Sequence, residues 1–438
     1  MRGLRSFLVL LVIAAALGAY LYYDSKRPAE EGKKQDKVFA DVQSDKIEQI
    51  TVKAAGGDRT TVQKQADGWQ ITQPTVVAAD GGEISGITSN LASMAIDRVV
   101  DEKPTDLKQY GLDPPHVEVA FKSGGTERTV LLGGKSPTGG DLYAKVPDKP
   151  RVFLVPSYIE SNFNKSTFDL RDKTILKIDR DKLDHIEIET PDHTLKFARQ
   201  GEDWRITQPV DARADFSALE GILGRLNASP MKSIVAQEVK DPKDLAQYGL
   251  DKPAATVHVI SGSSRAGLAI GKSSADGAVY AKDLSRPMVF TVETALADDL
   301  KKPVDDFRLK DLFDARAFNT TRVEIERKGT KLVFEKDKDA WKQVVPSAKP
   351  GDTAKVEALL TALTNTRATG FVDKTAGTGL DSPELTAAIK FDEGKKENRV
   401  VFARKGTDAF AQRAGDPGAA KIDGTALDAI LKAADTLK

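Results

Sequence analysis

One block of sequence occurs three times at nearly constant spacing, and a chain built that way has to fold as a tandem array of one unit. Gly68-Trp69-Gln70-Ile71-Thr72-Gln73-Pro74 returns 135 residues on as Asp203-Trp204-Arg205-Ile206-Thr207-Gln208-Pro209. It returns again, a further 137 on, as Ala340-Trp341-Lys342-Gln343-Val344-Val345-Pro346. The chain has three Trp, one in each copy, and a Pro follows each of them five residues later. The same shifts carry Asp80 onto Asp215 and Asp352. They also carry Ile84, Ile87 and Leu91 onto Leu219, Ile222 and Leu226, then onto Val356, Leu359 and Leu363.

The chemistry of the block predicts its structure. Apolar residues spaced three and four apart form one stripe of a helix. The repeated Asp stands at the N-cap, where its carboxylate accepts the orphan N–H groups of the first turn. In the first copy Glu83 completes a capping-box pattern with Asp80. Each Trp lies on a strand just before the helix, so its large face is expected to pack beneath that helix. A surface ring for carbohydrate or partner binding is the functional alternative.

Upstream, Ile47, Ile50 and Val52 match Leu183, Ile186 and Ile188, with Val323 and Ile325 in the third copy, and their alternation reads as hairpin strands. Downstream, Gln109-Tyr110-Gly111-Leu112-Asp113-Pro114-Pro115 matches Gln247-Tyr248-Gly249-Leu250-Asp251-Lys252-Pro253, a turn that re-enters the sheet. The third copy keeps Gly379-Leu380-Asp381-Ser382-Pro383. Leu142-Tyr143-Ala144-Lys145 recurs as Val279-Tyr280-Ala281-Lys282 and, altered, as Ala409-Phe410-Ala411-Gln412. Short helices close the copies around Tyr158 to Phe163, Glu293 to Leu300 and Ala426 to Ala433. Hairpins dominate and βαβαβ alternation is missing, so the fold class is α+β with antiparallel sheets rather than α/β. The organisation expected is an anchor and spacer over 1–37, module 1 over 38–170, module 2 over 171–305 and a divergent module 3 over 306–438.

Phe7 to Tyr23 is an uncharged run of 17 residues preceded by Arg2 and Arg5. As a helix it covers about 25 Å, a little less than a ~30 Å hydrocarbon core, and Leu4 and Ser6 extend it. Tyr20, Tyr22 and Tyr23 suit the membrane interface. A cleaved signal peptide with Ala14-Ala15-Ala16 at the cleavage site is the rival reading. The apolar run continues past that site, which favours an uncleaved signal-anchor. Asp24 to Lys37 is a polar spacer. Arg2 and Arg5 place the short leader in the cytoplasm, although Lys26, Arg27, Lys33, Lys34 and Lys37 on the other side oppose that orientation. The expectation is a single-pass inner-membrane protein whose C-terminal body is extracytoplasmic.

The 438 residues carry 65 Lys and Arg against 65 Asp and Glu, so the net charge is zero and no broad basic field points to nucleic acid. The chain has no Cys, which removes disulfides, thiolate metal sites and cysteine nucleophiles together. Leu132-Gly133-Gly134-Lys135-Ser136 and Ile270-Gly271-Lys272-Ser273 invite a phosphate-loop reading, but Thr129 and Ala266 stand where that loop needs its first Gly. A hairpin turn is the expectation. His185 and His193 could approach across a hairpin around Pro191-Asp192 as a metal pair. No His occupies the same place in two copies, and no elbow around a Ser singles out a nucleophile. The residues therefore nominate no catalytic, cofactor-binding or metal-ligating set, and no cofactor.

Together, the Trp-x-Ile-Thr-Gln-Pro block, the Tyr-Gly-Leu-Asp-x-Pro turn and the Gly-Lys, Tyr-Ala-Lys and Val-Phe series resemble the bacterial DUF4340 family. The resemblance covers Asp45 to Leu300 well. The third copy departs from it: Val344-Val345 replaces Ile-Thr, the Tyr before Gly379 is lost, and no Gly-Lys stands near Val400. The resemblance implies a membrane-anchored envelope protein, often encoded beside an ABC transporter and its gliding-type auxiliary subunit, with an accessory role. It supplies no catalytic residues. Partners expected on this basis are the membrane and ABC transporter subunits or other envelope proteins. The leading reading is a binding or scaffolding arm, more a non-enzyme than an enzyme. An envelope enzyme acting on glycans and a cell-wall polysaccharide binder are the alternatives.

Overall fold

The computed structural model describes residues 36–437, so the apolar run expected to anchor the chain lies outside the described residues. Among the described residues no helix is long and apolar enough to cross a membrane. The chain divides into two compact units between Lys173 and Thr174. The first contains one nine-stranded antiparallel sheet and the second contains two.

In the first unit the strands are β1 (Ile47–Lys53), β2 (Arg59–Gln65), β3 (Gly68–Gln73), β4 (Val77–Ala78), β5 (Arg98–Asp101), β6 (Val117–Ser123), β7 (Thr126–Lys135), β8 (Asp141–Lys145) and β9 (Val152–Pro156). Their order across the sheet is β4-β3-β2-β1-β6-β7-β8-β9-β5. Two four-stranded meanders thus meet at the β1–β6 pair, and β5 closes the far edge. Helix α1 (Gly81–Ser93) runs between β4 and β5, carrying the chain from one edge of the sheet to the other. Its buried stripe of Ile84, Ile87 and Leu91 joins Ile50, Val52, Val62 and Ile71 in one core. Helix α2 (Tyr158–Phe163) closes the module with Ile159 and Phe163 buried.

The Asp80 cap is as predicted: its carboxylate accepts from Gly82 N at 2.9 Å and Glu83 N at 3.2 Å. The expected return bond from Glu83 to the Asp80 N–H is replaced. That N–H donates to Leu170 O at 2.9 Å, and the Glu83 carboxylate pairs with Lys165 at 2.8 Å. The chain leaving the module thus returns to the cap, with a bridge between Ala79 and Arg171. The incoming chain is held in the same manner at the other end of α1, where Lys37 bridges Ala95.

The second unit repeats this order of nine strands over 185–292 and again over 320–422. Its helices matching α1 are α3 (Phe216–Ala228) and α6 (Thr353–Asn365); α4 (Thr294–Leu300), α5 (Val304–Phe307) and α7 (Gly424–Asp435), itself capped by Asp423, complete it. Asp215 and Asp352 cap α3 and α6 through Ala218 N at 3.1 Å and Lys355 N at 3.2 Å. Trp204 and Trp341 are 5% and 1% exposed, and Trp341 donates from its indole nitrogen to Glu357 of α6 at 3.1 Å. The packing reading of the Trp holds for these two, and Trp69, though only half-buried, also packs against the core of its module.

Within this unit, the segment joining its two sheets pairs backward at Ala214–Arg308 and forward at Asp311–Arg367. An ionic clasp lies over it. Arg213 donates to Asp416 at 2.9 Å, to Asp314 at 3.0 Å and to Asp311 O at 2.9 Å, and Arg413 also holds Asp314 at 2.8 Å. The Arg308 guanidinium lies 3.6 Å from the centre of the Phe371 ring. In module 1 the position matching Arg213 is Ala78, so the first half of this clasp has no counterpart there.

Candidate functional site

The residues that repeat most clearly converge on one place in each of the first two modules. The turn holding Tyr110-Gly111-Leu112 folds onto the end of β7, on the sheet face away from α1. A Cβ on Gly133 would lie 2.2 Å from Tyr110 O, and one on Gly271 would lie 2.2 Å from Tyr248 O. These glycines exist because a carbonyl oxygen sits where a side chain would be. Gly133-Gly134-Lys135 accordingly lies in the strand at a register shift between Leu132 and Lys135, which corrects the expected hairpin turn. The turn proper follows at 136–140, and Gly271 likewise falls inside the strand Ser264–Ser273.

The two repeated Tyr of each module meet there. Tyr110 and Tyr143 pack with ring centres 5.1 Å apart and planes inclined by 59°, and Tyr248 and Tyr280 at 5.2 Å and 62°. Tyr110 also donates to Asp101 at 3.0 Å; burial first, then that carboxylate, raises its pKa above the usual phenol range. The repeated Lys of the Tyr-Ala-Lys series turns inward. Lys145 donates to the carbonyls of Val146, at 3.2 Å, and Lys149; Lys282 donates to those of Asp283, at 3.3 Å, and Arg286. Burial lowers the pKa of both amines. In module 3 the Tyr, the Gly and the Lys are lost together, as Thr378, Ala403 and Gln412, which is what mutual dependence requires. The family motifs therefore assemble a structural joint.

The histidine idea is not realised. His185 stands at the start of its strand, opposite Ala198, and pairs with Asp184 at 2.7 Å. His193 lies past the other end of that hairpin, at about 3.4 Å per residue a full strand length away. Its Nε2 is buried and has no hydrogen-bond partner. Among the described residues no group of three or more His, Asp or Glu is placed to hold a metal ion.

One cleft combines a histidine with a carboxylate. It lies beside the joint of module 1 and encloses about 490 Å³ between the backbones of Gly111, Pro114 and Gly133. At its rim His116 Nε2 is 3.0 Å from Glu160 Oε1, and Lys135 Nζ is 3.9 Å from Glu160 Oε2. A cleft of this kind offers an imidazole for proton transfer, a carboxylate to orient it and a fixed cation. In the sequence His116 is one of four His, none of which stands at the same place in a second copy. Module 2 has Ala254, Ser273 and Ala297 at the three corresponding positions.

The fold and its joints define a class: a tandem array of nine-stranded antiparallel modules, each spanned by a capped helix, with the same motif contacts in the first two. The family described as "Domain of unknown function (DUF4340)" matches residues 69–203 and 204–383, and the chain belongs to that family. No curated protein matches the chain. Among solved structures it is similar to a DNA polymerase sliding clamp from Pseudomonas aeruginosa solved with a ligand. The identity is 8%, the match covers 88% of this chain and 93% of that one, and the TM-score is 0.17, too low to carry an argument.

Proposed function

We propose that the protein is a membrane-anchored extracytoplasmic binding or scaffolding arm, serving an ABC-type transport system as an accessory subunit. One observation carries this reading: the residues repeated between modules are engaged inside their own module. Tyr110 meets Tyr143, Gly133 receives the Tyr110 carbonyl, and Lys145 ties its own loop. What repeats is a frame, and what varies is its surface; tandem frames with different surfaces suit multivalent contact better than a single chemistry. The apolar run from Phe7 to Tyr23 would hold the arm at the inner membrane. The test is purification of the tagged full chain in mild detergent, in which ABC permease or ATPase subunits co-purify. Repeated recovery without any transporter subunit would reject the partner assignment. C-terminal alkaline phosphatase and fluorescent-protein fusions test the orientation, with phosphatase activity expected.

The His116–Glu160 pair favours a second reading, an envelope enzyme acting on glycans, because it sets an imidazole against a carboxylate at a cleft in module 1, and module 2 has Ala at both matching positions. Release of soluble fragments from peptidoglycan by the full chain, abolished in His116→Ala, would support it. Equal release by both proteins would reject it.

A further inference from the structure

The joint of module 1 carries three polar residues that the joint itself does not require. Module 2 builds the same contacts, Gly271 under the Tyr248 carbonyl and Tyr248 against Tyr280, with Ala254, Ser273 and Ala297 where module 1 has His116, Lys135 and Glu160. In module 3 Glu384 stands at the place of His116: its N–H bonds Phe402 O at 2.9 Å, as that of His116 bonds Leu132 O at 2.9 Å. Glu384 pairs with Arg404, which also holds Asp428 at 2.6 Å. A guanidinium stays protonated and cannot take up a proton, so module 3 has ion pairs without a base. The fold therefore does not account for the imidazole of module 1.

The His116–Glu160 pair is set on fixed elements beside a space for a ligand. His116 leads into β6, held by the backbone bond to Leu132. Glu160 follows the buried Ile159 on α2. That helix is fastened at its end by Asn164, whose N–H donates to Glu160 O at 2.7 Å and whose Oδ1 accepts from Ala55 N at 2.9 Å. The Glu160 side chain is 24% exposed and that of His116 46%, so the carboxylate is held back in the wall while the imidazole stands open. The carboxylate takes the Nε2–H, which leaves Nδ1 as the basic nitrogen of the neutral ring. Apolar Ala55, Pro114, Pro115 and Leu142 line the cleft with the glycine backbones, and its volume is that of a small-molecule site.

We propose that this cleft hydrolyses carboxylic esters, an inference that goes beyond the second reading above by naming the bond: an acyl group carried on a hydroxyl, not the glycan chain itself. Cleavage of a glycosidic bond works through two carboxylates astride it, and Glu160 is the one carboxylate among the residues lining the cleft. A single base oriented by a carboxylate suits acyl chemistry. His116 Nδ1 takes a proton from a water molecule as the water oxygen bonds to the ester carbonyl carbon. The Lys135 ammonium at the rim offsets the negative charge that develops on the carbonyl oxygen. When the tetrahedral intermediate collapses, the bond to the alcohol oxygen breaks, and that oxygen takes the proton back from His116. One water is consumed, an acid and an alcohol leave, and no further reactant is needed.

The test uses the full chain in detergent with two probes, p-nitrophenyl acetate and glucose pentaacetate, read as nitrophenolate and acetate released. Wild type hydrolyses both with saturation. His116→Ala, which installs the residue module 2 carries in the same joint, lowers kcat/KM about 100-fold. Glu160→Gln lowers kcat and leaves KM unchanged, because Glu160 orients the base without touching the ester. His185→Ala removes an exposed, carboxylate-paired imidazole that does not line the cleft, and leaves the rate unchanged. Absence of hydrolysis by wild type overturns the proposal, as does equal hydrolysis by wild type and His116→Ala. A loss in His185→Ala matching that in His116→Ala would mean that any surface imidazole serves, and overturns it too. Soluble fragments from peptidoglycan and acetate from these esters are separate readouts, so the second reading and this inference can fail independently.

Discussion

Substituting Ala for Gly133 places a methyl group 2.2 Å from the Tyr110 carbonyl oxygen and 3.0 Å from Leu112 Cγ. Ordinary contact at such a site begins near 3.4 Å, so the turn must retreat by roughly 1.2 Å. That movement withdraws Leu112, which is buried, and loosens the tilted 5.1 Å contact of Tyr110 with Tyr143. Overpacking of this kind costs about 1–3 kcal/mol, and the ring pair contributes about 0.5–1.5 more, so the expected loss is near 3 kcal/mol. The neighbouring Gly134 is the internal control, since its added methyl would lie 3.8 Å from the same oxygen. Gly134→Ala should stay within about 0.5 kcal/mol of wild type, as surface changes do. Hydrogen exchange followed by mass spectrometry reads this locally, on peptides covering β7 and the turn. Three kcal/mol corresponds to exchange about 100-fold faster. Identical exchange in the two variants would refute the reasoning, because it would mean that the turn does not rest on the strand.

Trp204→Ala should destabilise module 2 by about 3–5 kcal/mol in urea unfolding, and the half-buried Trp69→Ala should cost module 1 less; equal losses would contradict the difference in burial. Asp215→Ala removes the cap of α3 and should cost about 1 kcal/mol, visible as faster exchange in the first turn of that helix. Arg213→Met should speed exchange in the joining segment 308–316 of the second unit without disturbing strand 264–273, a pattern that uniform destabilisation would not give. The clasp also sets a pH dependence. Burial pushes the Asp314 carboxyl up, but Arg413, Arg213 and Asn398 outweigh it and hold the pKa below the ordinary carboxylate value. A depressed pKa stabilises above the unfolded value of about 3.9 and loses that stability as pH falls through the folded one. Protection of 308–316 should therefore be flat from pH 5 to 8 and fall below pH 4; a loss at pH 6 would implicate a different group.

Local signals carried the architecture far. The stripe and the Asp before it predicted three helices and their caps, because helix periodicity and capping chemistry are written within a dozen residues. The Trp could be placed beneath the helix for the same reason. The capping box failed at Glu83 because the competing acceptor, Leu170 O, lies 90 residues downstream. The Gly-Lys motif was misplaced by the same kind of blindness: what demands Gly133 is the carbonyl of Tyr110, met only after β6 has been laid down. The exposed Phe216 and Phe318 were hidden differently: both break the repeat, and an aligned comparison of copies discounts the positions where they differ.

The passage of α1 from one edge of the sheet to the other has a consequence for where the chain can be cut. The family matches begin at Trp69 and Trp204, inside the third strand of a sheet, and so run out of phase with the folded module. A fragment started at Trp69 lacks β1, which is hydrogen-bonded to β2 on one side and β6 on the other. It therefore cuts β3 and β4 off from the rest of their sheet and bares the long edge of β6, the kind of open ladder that recruits other chains. Fragments started near residue 36, upstream of the Lys37 bridge, keep both meanders and should remain monomeric where the family-bounded ones aggregate.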